Sequence, residues 1–153
     1  MSGVYLTVWT DDARRAQVLR TTRGGYPHIT LGYSGDKLCR AELLTEAVVA
    51  LRDSLLAGVT VTHAKINSFD LNRGKGEPRM RHDVLMMLDR DTGALVDKMR
   101  ENMGRDYPEG TFSTGEPHIT HAIFDSADEA AARVLKLQDL LPMDVRITGV
   151  TVD

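Results

Sequence analysis

The sequence of this 153-residue chain predicts an α+β fold built from two similar halves. Alternating or continuous apolar runs predict strands, and longer stretches that begin at capping residues predict helices. Both halves, residues 3–71 and 82–153, contain the same order of strand, helix, strand, helix and strand. The tetrapeptide Pro-His-Ile-Thr opens the middle strand of each half, at residues 27–30 and 117–120. A repeat at the same position in two repeated units indicates a shared role.

In the first half, residues 4–9 alternate apolar and polar side chains, which predicts a half-buried strand. Thr10 is the expected N-cap of a short helix that runs to about Arg20. After the middle strand, a longer helix is expected over about residues 40–57, and a strand over residues 59–71. The apolar row expected to face the core in the longer helix is Leu44, Val48, Leu51 and Leu55.

A glycine-rich basic segment, residues 72–81, is predicted to connect the halves. Beyond it, a buried strand leads to a helix that opens at Asp91 or Thr92. A long loop, residues 104–116, precedes the second middle strand. Residues 126–129 form a capping box for the last helix, which a final strand follows. The side chains expected to face inward in that helix are Ala130, Val134, Leu137 and Leu141.

Composition narrows the class of protein. Hydrophobic (42%) and charged (27%) fractions are ordinary for a soluble globular protein, and one domain over residues 1–153 is predicted. No apolar run approaches the ~20 residues of a membrane span, and no signal-peptide pattern is present. The single cysteine, Cys39, excludes an intrachain disulfide framework and favours the cytoplasm. A net charge of −3 argues against a general grip on long nucleic acid, and a monomer is expected.

The repeated tetrapeptide carries the candidate catalytic groups. Side chains alternate across a strand, so His28 and Thr30 point to one face, as do His118 and Thr120. Imidazole can accept or give a proton at neutral pH, so two such pairs facing each other would make a site with two proton carriers and two hydroxyl donors. Neither a metal nor another cofactor is required.

The two His-x-Thr motifs, His28–Thr30 and His118–Thr120, and the repeated halves around them resemble the two-histidine (2H) phosphoesterase superfamily. The resemblance implies a bilobal, pseudo-twofold α+β fold, with two antiparallel β-sheets lining a central groove and helices outside. It implies that these four motif residues are catalytic and that a 2′,3′-cyclic substrate would give a 2′-phosphate. Which histidine is the base stays open, with His118 as base and His28 as acid the preferred assignment.

Three further residues are candidates for substrate binding. Strand alternation places Phe124 on the face of the second motif and Tyr5 on the polar face of the first strand, where each could stack on a nucleobase. Arg81, in the basic segment, could bind phosphate. The same alternation places Gly32 and Ala122 just beyond the motifs, where small side chains would leave the groove open.

The other histidines have weaker claims. His121 points away from the second motif and is expected to be a buried, hydrogen-bonded residue. His63 and His82 lie on strands without a motif around them, and a structural role is expected for both. No histidine pair has the spacing of zinc ligands, so no metal site is predicted.

These observations predict a metal-independent phosphodiesterase that hydrolyses a 2′,3′-cyclic phosphate or a short oligonucleotide by two-histidine acid–base catalysis. Its expected partner is a small nucleotide or oligonucleotide, and not a membrane. Two alternatives remain open. One is a phage-type hydrolase of cyclic di- or trinucleotide or 2′,5′-oligoadenylate signals. The other is a non-catalytic nucleotide-binding module that keeps the motifs for recognition.

Overall fold

The computed structural model describes residues 2–19, 26–34, 40–106, 110–113 and 115–153. Both halves show the predicted order of elements, and the second half has one additional short strand, β5, in its long loop. In chain order the elements are β1 Ser2–Trp9, α1 Ala13–Leu19, β2 His28–Ser34, α2 Arg40–Ser54, β3 Gly58–Asp70, β4 Met80–Leu88, α3 Arg90–Asp106, β5 Gly110–Phe112, β6 His118–Phe124, α4 Ala127–Gln138 and β7 Met143–Val152.

The strands form one antiparallel sheet in the order β1-β7-β3-β4-β6-β2-β5, and β1 also pairs with β2. The α+β prediction is confirmed, but the strands are not divided into two separate sheets as expected. Two three-stranded groups, β2-β1-β7 and β6-β4-β3, are joined by hydrogen bonds. Gly58–Val61 pair with Met143–Arg146, and Ile29 pairs with Ile119. These pairings give hydrogen-bond partners to backbone N–H and C=O groups that would be unpaired at the edges of two separate sheets.

The strand pairing is symmetric between the two halves. Exchanging β1 with β4, β2 with β6 and β3 with β7 leaves the set of pairings among these six strands unchanged. The last strand of each half lies beside the first strand of the other, because β3 pairs with β4 and β7 pairs with β1. The repeat seen in the sequence is therefore a repeat of pairing, with strands exchanged between the halves.

Each middle strand contains a β-bulge three residues after its motif histidine. In the pairing of β1 with β2, Tyr5 lies opposite Thr30 and Val4 opposite Gly32, so Leu31 is an extra residue. His121 is the extra residue in the pairing of β4 with β6, where Thr120 and Ala122 lie opposite consecutive residues of β4. A bulge reverses the alternation of side chains beyond it. Residues after the bulges consequently exchange faces.

One face of the sheet packs on the helices to form the core. The strands contribute residues such as Leu6, Ile29, Met86 and Ile119, all without solvent exposure. The predicted inward row of α2 is largely wrong. Leu43 and Ala47 of α2 are buried, and Leu51 packs against the core, whereas Leu44, Val48 and Leu55 are exposed. This helix is apolar on more than one side, so its sequence pattern does not identify the buried face.

Capping explains where the helices begin. Asp12, and not Thr10, caps α1, because its carboxylate accepts a hydrogen bond from the backbone N–H of Arg15 at 3.0 Å. Asp89 caps α3 through the N–H of Thr92, two or three residues earlier than expected. The Ser126 cap of α4 is confirmed, since its hydroxyl accepts from the N–H of Glu129. The predicted inward side chains of α4 are also buried or packed against the core.

The basic segment that connects the halves is the tip of a long β3–β4 hairpin. Its turn is ordered by Asp70, whose carboxylate accepts from the backbone N–H groups of Asn72, Gly74 and Arg79 at 2.8–2.9 Å. These three bonds hold the pKa of Asp70 below its usual value. The tip is therefore a built turn with exposed basic side chains.

The structure bears on one of two expectations drawn from composition, the absence of a membrane span, and not on the one drawn from Cys39. Among the described helices, none is both long and apolar enough to cross a bilayer. Cys39 lies outside the described residues, so the structure does not bear on the expectations drawn from it.

Substituting Gly32 with Ala should destabilise the fold, because a Cβ at this position would lie 2.5 Å from the Thr111 carbonyl oxygen and 2.7 Å from the Phe112 Cα. We expect the free energy of unfolding in urea to fall by about 1–3 kcal/mol. Gly93→Ala in α3 is the matched control. Its Cβ would meet no atom within 4 Å, and it should be neutral or stabilising by up to about 1 kcal/mol. A Gly32→Ala protein as stable as wild type would contradict this account.

Candidate active site

The two motifs lie next to each other because β2 and β6 pair at a single position, Ile29 with Ile119. Extending this antiparallel register by one residue on each side places His28 opposite Thr120 and Thr30 opposite His118. Both isoleucines are fully buried, while the four motif side chains are half-buried on the opposite face. This register therefore places the four motif side chains on one face, which is the predicted grouping.

The four side chains occupy the corners of a rectangle in which histidine and threonine alternate. Diagonal neighbours on adjacent antiparallel strands are about 7–8 Å apart at Cα, and the two histidines are such neighbours. Two imidazole nitrogens that approach from opposite corners, each at a hydrogen-bond length of about 2.8 Å, can hold the attacking and leaving oxygens of one phosphate group. The spacing suits in-line displacement.

Each motif histidine is oriented by a backbone carbonyl two residues earlier. The His28 Nδ1 lies 2.8 Å from the carbonyl oxygen of Tyr26, and the His118 Nδ1 lies 2.9 Å from that of Glu116. A carbonyl can only accept, so both Nδ1 atoms carry the proton. The Nε2 of each ring is then left as the atom that can take or give a proton.

Neither threonine hydroxyl, Thr30 nor Thr120, forms a hydrogen bond with another residue in the part of the chain that the structure describes. Their donors are available to a ligand. Cross-strand partners form the surroundings of the two motifs: Tyr5 lies opposite Thr30, and Thr7 opposite His28. Leu85 and Met87 take the equivalent places beside the second motif and are both buried.

Tyr5 contacts the first motif, which places this predicted residue in the site. Its ring meets that of His28 edge-on, with centroids 4.6 Å apart and an interplanar angle of 63°. Burial raises the pKa of Tyr5, and the carboxylate of Asp153, which hydrogen bonds with its hydroxyl, adds to the effect. Tyr5 is therefore neutral at physiological pH. Whether it stacks on a base stays a prediction.

Lys65 is a site residue that sequence reasoning missed. It lies opposite Leu85, which in turn lies opposite Thr120, so Lys65 shares the face of the second motif. Its ammonium is 3.9 Å from the Glu116 carboxylate, and its side chain is 46% exposed. His63 is on the same face, opposite Met87. The signal available in the sequence was that His63 and Lys65 lie two positions apart in an expected strand, which places them on one face.

Arg100 of α3 is a second missed residue, and it ties the two motifs together. Its guanidinium donates to the Thr30 carbonyl oxygen at 2.6 Å and to the Gly115 carbonyl oxygen at 2.7 Å. It is 5% exposed, and burial lowers its pKa while Asp97 opposes that shift. One planar group thus fixes the backbone of the first motif and of the segment that leads into the second.

The structure corrects the placement of Phe124. The bulge at His121 reverses the alternation of β6, so Phe124 lies opposite His82 and not on the face of His118. Its ring packs against the core, with the Arg133 guanidinium 5.4 Å from its centroid. Phe124 is therefore not a wall of the site.

The same reversal corrects the role given to the two small residues. Ala122 lies opposite the fully buried Val84 and belongs to the core face. Gly32 lies opposite Val4, and its missing side chain makes room for the backbone of Thr111 and Phe112 in β5. Neither residue opens a groove.

Arg81 lies on the same face as the site, but farther along β4. Its Nε and Nη2 donate to the two carboxylate oxygens of Asp83 at 2.7 and 3.0 Å, and its guanidinium lies 4.9 Å from the Phe69 ring centroid. Asp83 raises the pKa of Arg81, so the guanidinium is fully charged. Its role in phosphate binding stays a prediction.

His121 is buried and fully hydrogen bonded, as predicted. Its Nδ1 donates to the Val18 carbonyl oxygen at 2.6 Å, and its Nε2 accepts from Arg133 at 3.0 Å. Burial lowers its pKa, and the positive charge of Arg133 lowers it further. It joins β6 to α1 and α4 and takes no part in the site. Within the described ranges, no group of three or more His, Cys, Asp or Glu side chains could hold a metal ion.

No protein-family model matches this chain, and no curated protein is similar enough to match it. The functional argument consequently depends on the chemistry and geometry of the residues themselves.

Replacing Arg100 with Lys should destabilise the protein, because a single ammonium cannot reach the carbonyl oxygens of both Thr30 and Gly115. A hydrogen bond from a charged donor is worth about 1.5–3 kcal/mol, and we expect the free energy of unfolding to fall by about that amount. Arg105→Lys on the same helix is the control, since Arg105 is exposed and pairs only with its neighbour Asp106 among the described residues. Equal stability of the two variants would refute the bracing role.

The buried His121 should make stability fall in mild acid. Its pKa is lowered in the folded state, so as the pH drops through its ordinary value of about 6.5 the unfolded chain binds a proton that the folded chain does not. The free energy of unfolding should fall with a slope of at most about 1.4 kcal/mol per pH unit, and no loss from this residue is expected above pH 7. His121→Asn keeps a donor for Val18 but cannot titrate. Its stability curve between pH 7 and 5 should be flatter than that of wild type, and parallel curves would exclude the effect.

Proposed function

We propose that this protein is a metal-independent phosphodiesterase that uses His28 and His118 as its acid–base pair. The observation that carries the proposal is the matched orientation of these residues. Both rings donate from Nδ1 to the carbonyl two residues earlier, and both stand on one face across the Ile29–Ile119 pair. Binding alone would not need two imidazoles on opposite corners of one rectangle, each with an Nε2 that bonds to no described residue.

The reaction follows from these roles. The neutral histidine accepts a proton at Nε2 from water, whose oxygen attacks phosphorus. The bond to the leaving oxygen breaks, and the other histidine, protonated at Nε2, gives that oxygen its proton. Thr30 and Thr120 donate hydrogen bonds to the non-bridging oxygens as their negative charge grows. On a 2′,3′-cyclic phosphate, breaking the bond to the 3′ oxygen leaves a 2′-phosphate.

The near-symmetry of the two histidines means that geometry alone does not divide the roles. His118 as base and His28 as acid remains our assignment. The symmetric strand pairing and the equivalent bulges support membership of the 2H phosphoesterase superfamily, which we infer on that basis. We further propose a cytoplasmic monomer whose partner is a small nucleotide or an oligonucleotide.

Purified protein in EDTA should hydrolyse at least one of four substrate types: a 2′,3′-cyclic mononucleotide, an oligonucleotide ending in a 2′,3′-cyclic phosphate, 2′,5′-oligoadenylate, or a cyclic dinucleotide. Chromatography of the products would identify the bond broken. Turnover of none of them would leave a binding module as the remaining interpretation. Loss of turnover only when the chelator is present would instead indicate a metal enzyme.

Substitutions test the individual roles. His28→Ala and His118→Ala should each lower kcat by about 10²–10⁴-fold, because each removes a proton carrier. Thr30→Val and Thr120→Val should each lower kcat by about 10²-fold, because each removes one donor to the developing charge. His82→Ala is the control, since His82 lies on the opposite face and bonds to Ser68, and it should leave kcat near normal. A motif variant with wild-type kcat would remove that residue from the mechanism.

A further inference from the structure

The β3–β4 hairpin continues the face of the second motif well beyond the catalytic residues. β3 pairs with β7 only over Gly58–Val61, whereas it pairs with β4 as far as Asp70 and Met80. Moving outward from the site on this one face, the cross-strand pairs are Lys65 with Leu85, Asn67 with Asp83, and Phe69 with Arg81. We call the side chains of Lys65, Asn67, Phe69 and Arg81 the hairpin face.

We propose that the hairpin face binds the nucleotides next to the scissile phosphate, so that the substrate is an oligonucleotide and not a mononucleotide. This inference rests on the proposed phosphodiesterase function and adds the direction in which the substrate extends. The oligonucleotide would run from the second motif, His118 and Thr120, past Lys65 toward Phe69 and Arg81.

The groups on the hairpin face fit the parts of a nucleotide. Lys65 is half-exposed, and its ion pair with Glu116 at 3.9 Å is loose, so a phosphate can replace it. Phe69 and Arg81 form a stacking platform: the guanidinium lies over the ring and is held in place by both oxygens of Asp83. A guanidinium plane is a surface on which nucleobases stack. Asn67 between them carries both a donor and an acceptor.

The length and charge of the hairpin also fit an oligonucleotide. Phe69 lies four positions beyond Lys65, about 13 Å along a strand, which is longer than one nucleotide. Residues 65–83 contain five basic and three acidic residues, a net charge of +2 in a chain whose net charge is −3. The basic side chains at the tip, Arg73, Lys75 and Arg79, are all exposed. A local basic arm on an acidic protein suits a short strand better than a long duplex.

The equivalent surface beside the first motif lacks these groups. By the symmetry of the pairing, Gly149 and Thr151 of β7 take the places that His63 and Lys65 have in β3, since they lie opposite Thr7 and Tyr5. Neither carries a charge. The two motifs are alike, but the surfaces beside them differ. This difference would fix the orientation of an asymmetric substrate.

Binding tests the hairpin face without requiring turnover. Fluorescence anisotropy would compare a labelled trinucleotide that ends in a 3′-phosphate with a labelled 3′-phosphorylated mononucleotide, neither of which contains the bond proposed to be cleaved at its end. We expect Lys65→Gln and Arg81→Lys each to raise the Kd of the trinucleotide about five- to tenfold, and that of the mononucleotide less than twofold. Arg81→Lys keeps a cation beside Asp83 but loses the flat stacking surface.

Lys136→Gln on α4 is the matched control, since Lys136 is exposed and its helix packs on the core side of β3 and β4, opposite the hairpin face, and it should bind both ligands as wild type does. Equal affinity of wild type for the two ligands, or an unchanged Kd in Lys65→Gln, would overturn the inference.

A companion assay would compare kcat/KM for a trinucleotide and a mononucleotide that both carry a 2′,3′-cyclic phosphate. A ratio above about ten is expected, and equal values would overturn the hairpin role while leaving the phosphodiesterase intact. Tight trinucleotide binding without turnover of either cyclic-phosphate substrate would contradict the catalytic proposal instead.

Discussion

The site depends on one contact, the pairing of Ile29 with Ile119 between β2 and β6. Burial of both side chains fixes which residues face the helices, and therefore which four face the other way. A slip of either strand by one residue would turn its motif into the core, where the polar side chains would lack hydrogen-bond partners. Arg100 secures the same arrangement from the helix side through two backbone carbonyls. The spacing of the four motif side chains is therefore set by core packing.

The paired bulges at Leu31 and His121 divide each middle strand into two parts with different tasks. Before the bulge, the strand presents a histidine and a threonine to the site. Beyond the bulge, the alternation of side chains in the same strand is reversed, and the strand contributes residues to the core. One short strand thereby supplies both the motif side chains and part of the core. An extra residue, which is not visible in the hydrophobic pattern, determines where the change occurs.

Local signals were sufficient for part of this structure. The element order, the Ser126 cap and the pairing of His with Thr on one face follow from residues that are neighbours in sequence. The bulges do not, and ignoring them misplaced Phe124. The buried side of α2 was also ambiguous, because apolar residues surround that helix. Lys65 and Arg100 were missed for a different reason: each reaches the site only through partners that are distant in the chain.

The exchange of strands between the halves also bears on how the chain acquires its structure. β1 finds its partner β7 across almost the whole sequence, whereas β3 and β4 meet through a short turn. Neither repeat can complete its own three-stranded group from its own residues. A nascent chain would hold β1 with one edge open until Met143–Val152 had left the ribosome. Such a dependence on distant partners gives slow, strongly cooperative folding, in which the face that presents the two motifs exists only once the fold is closed.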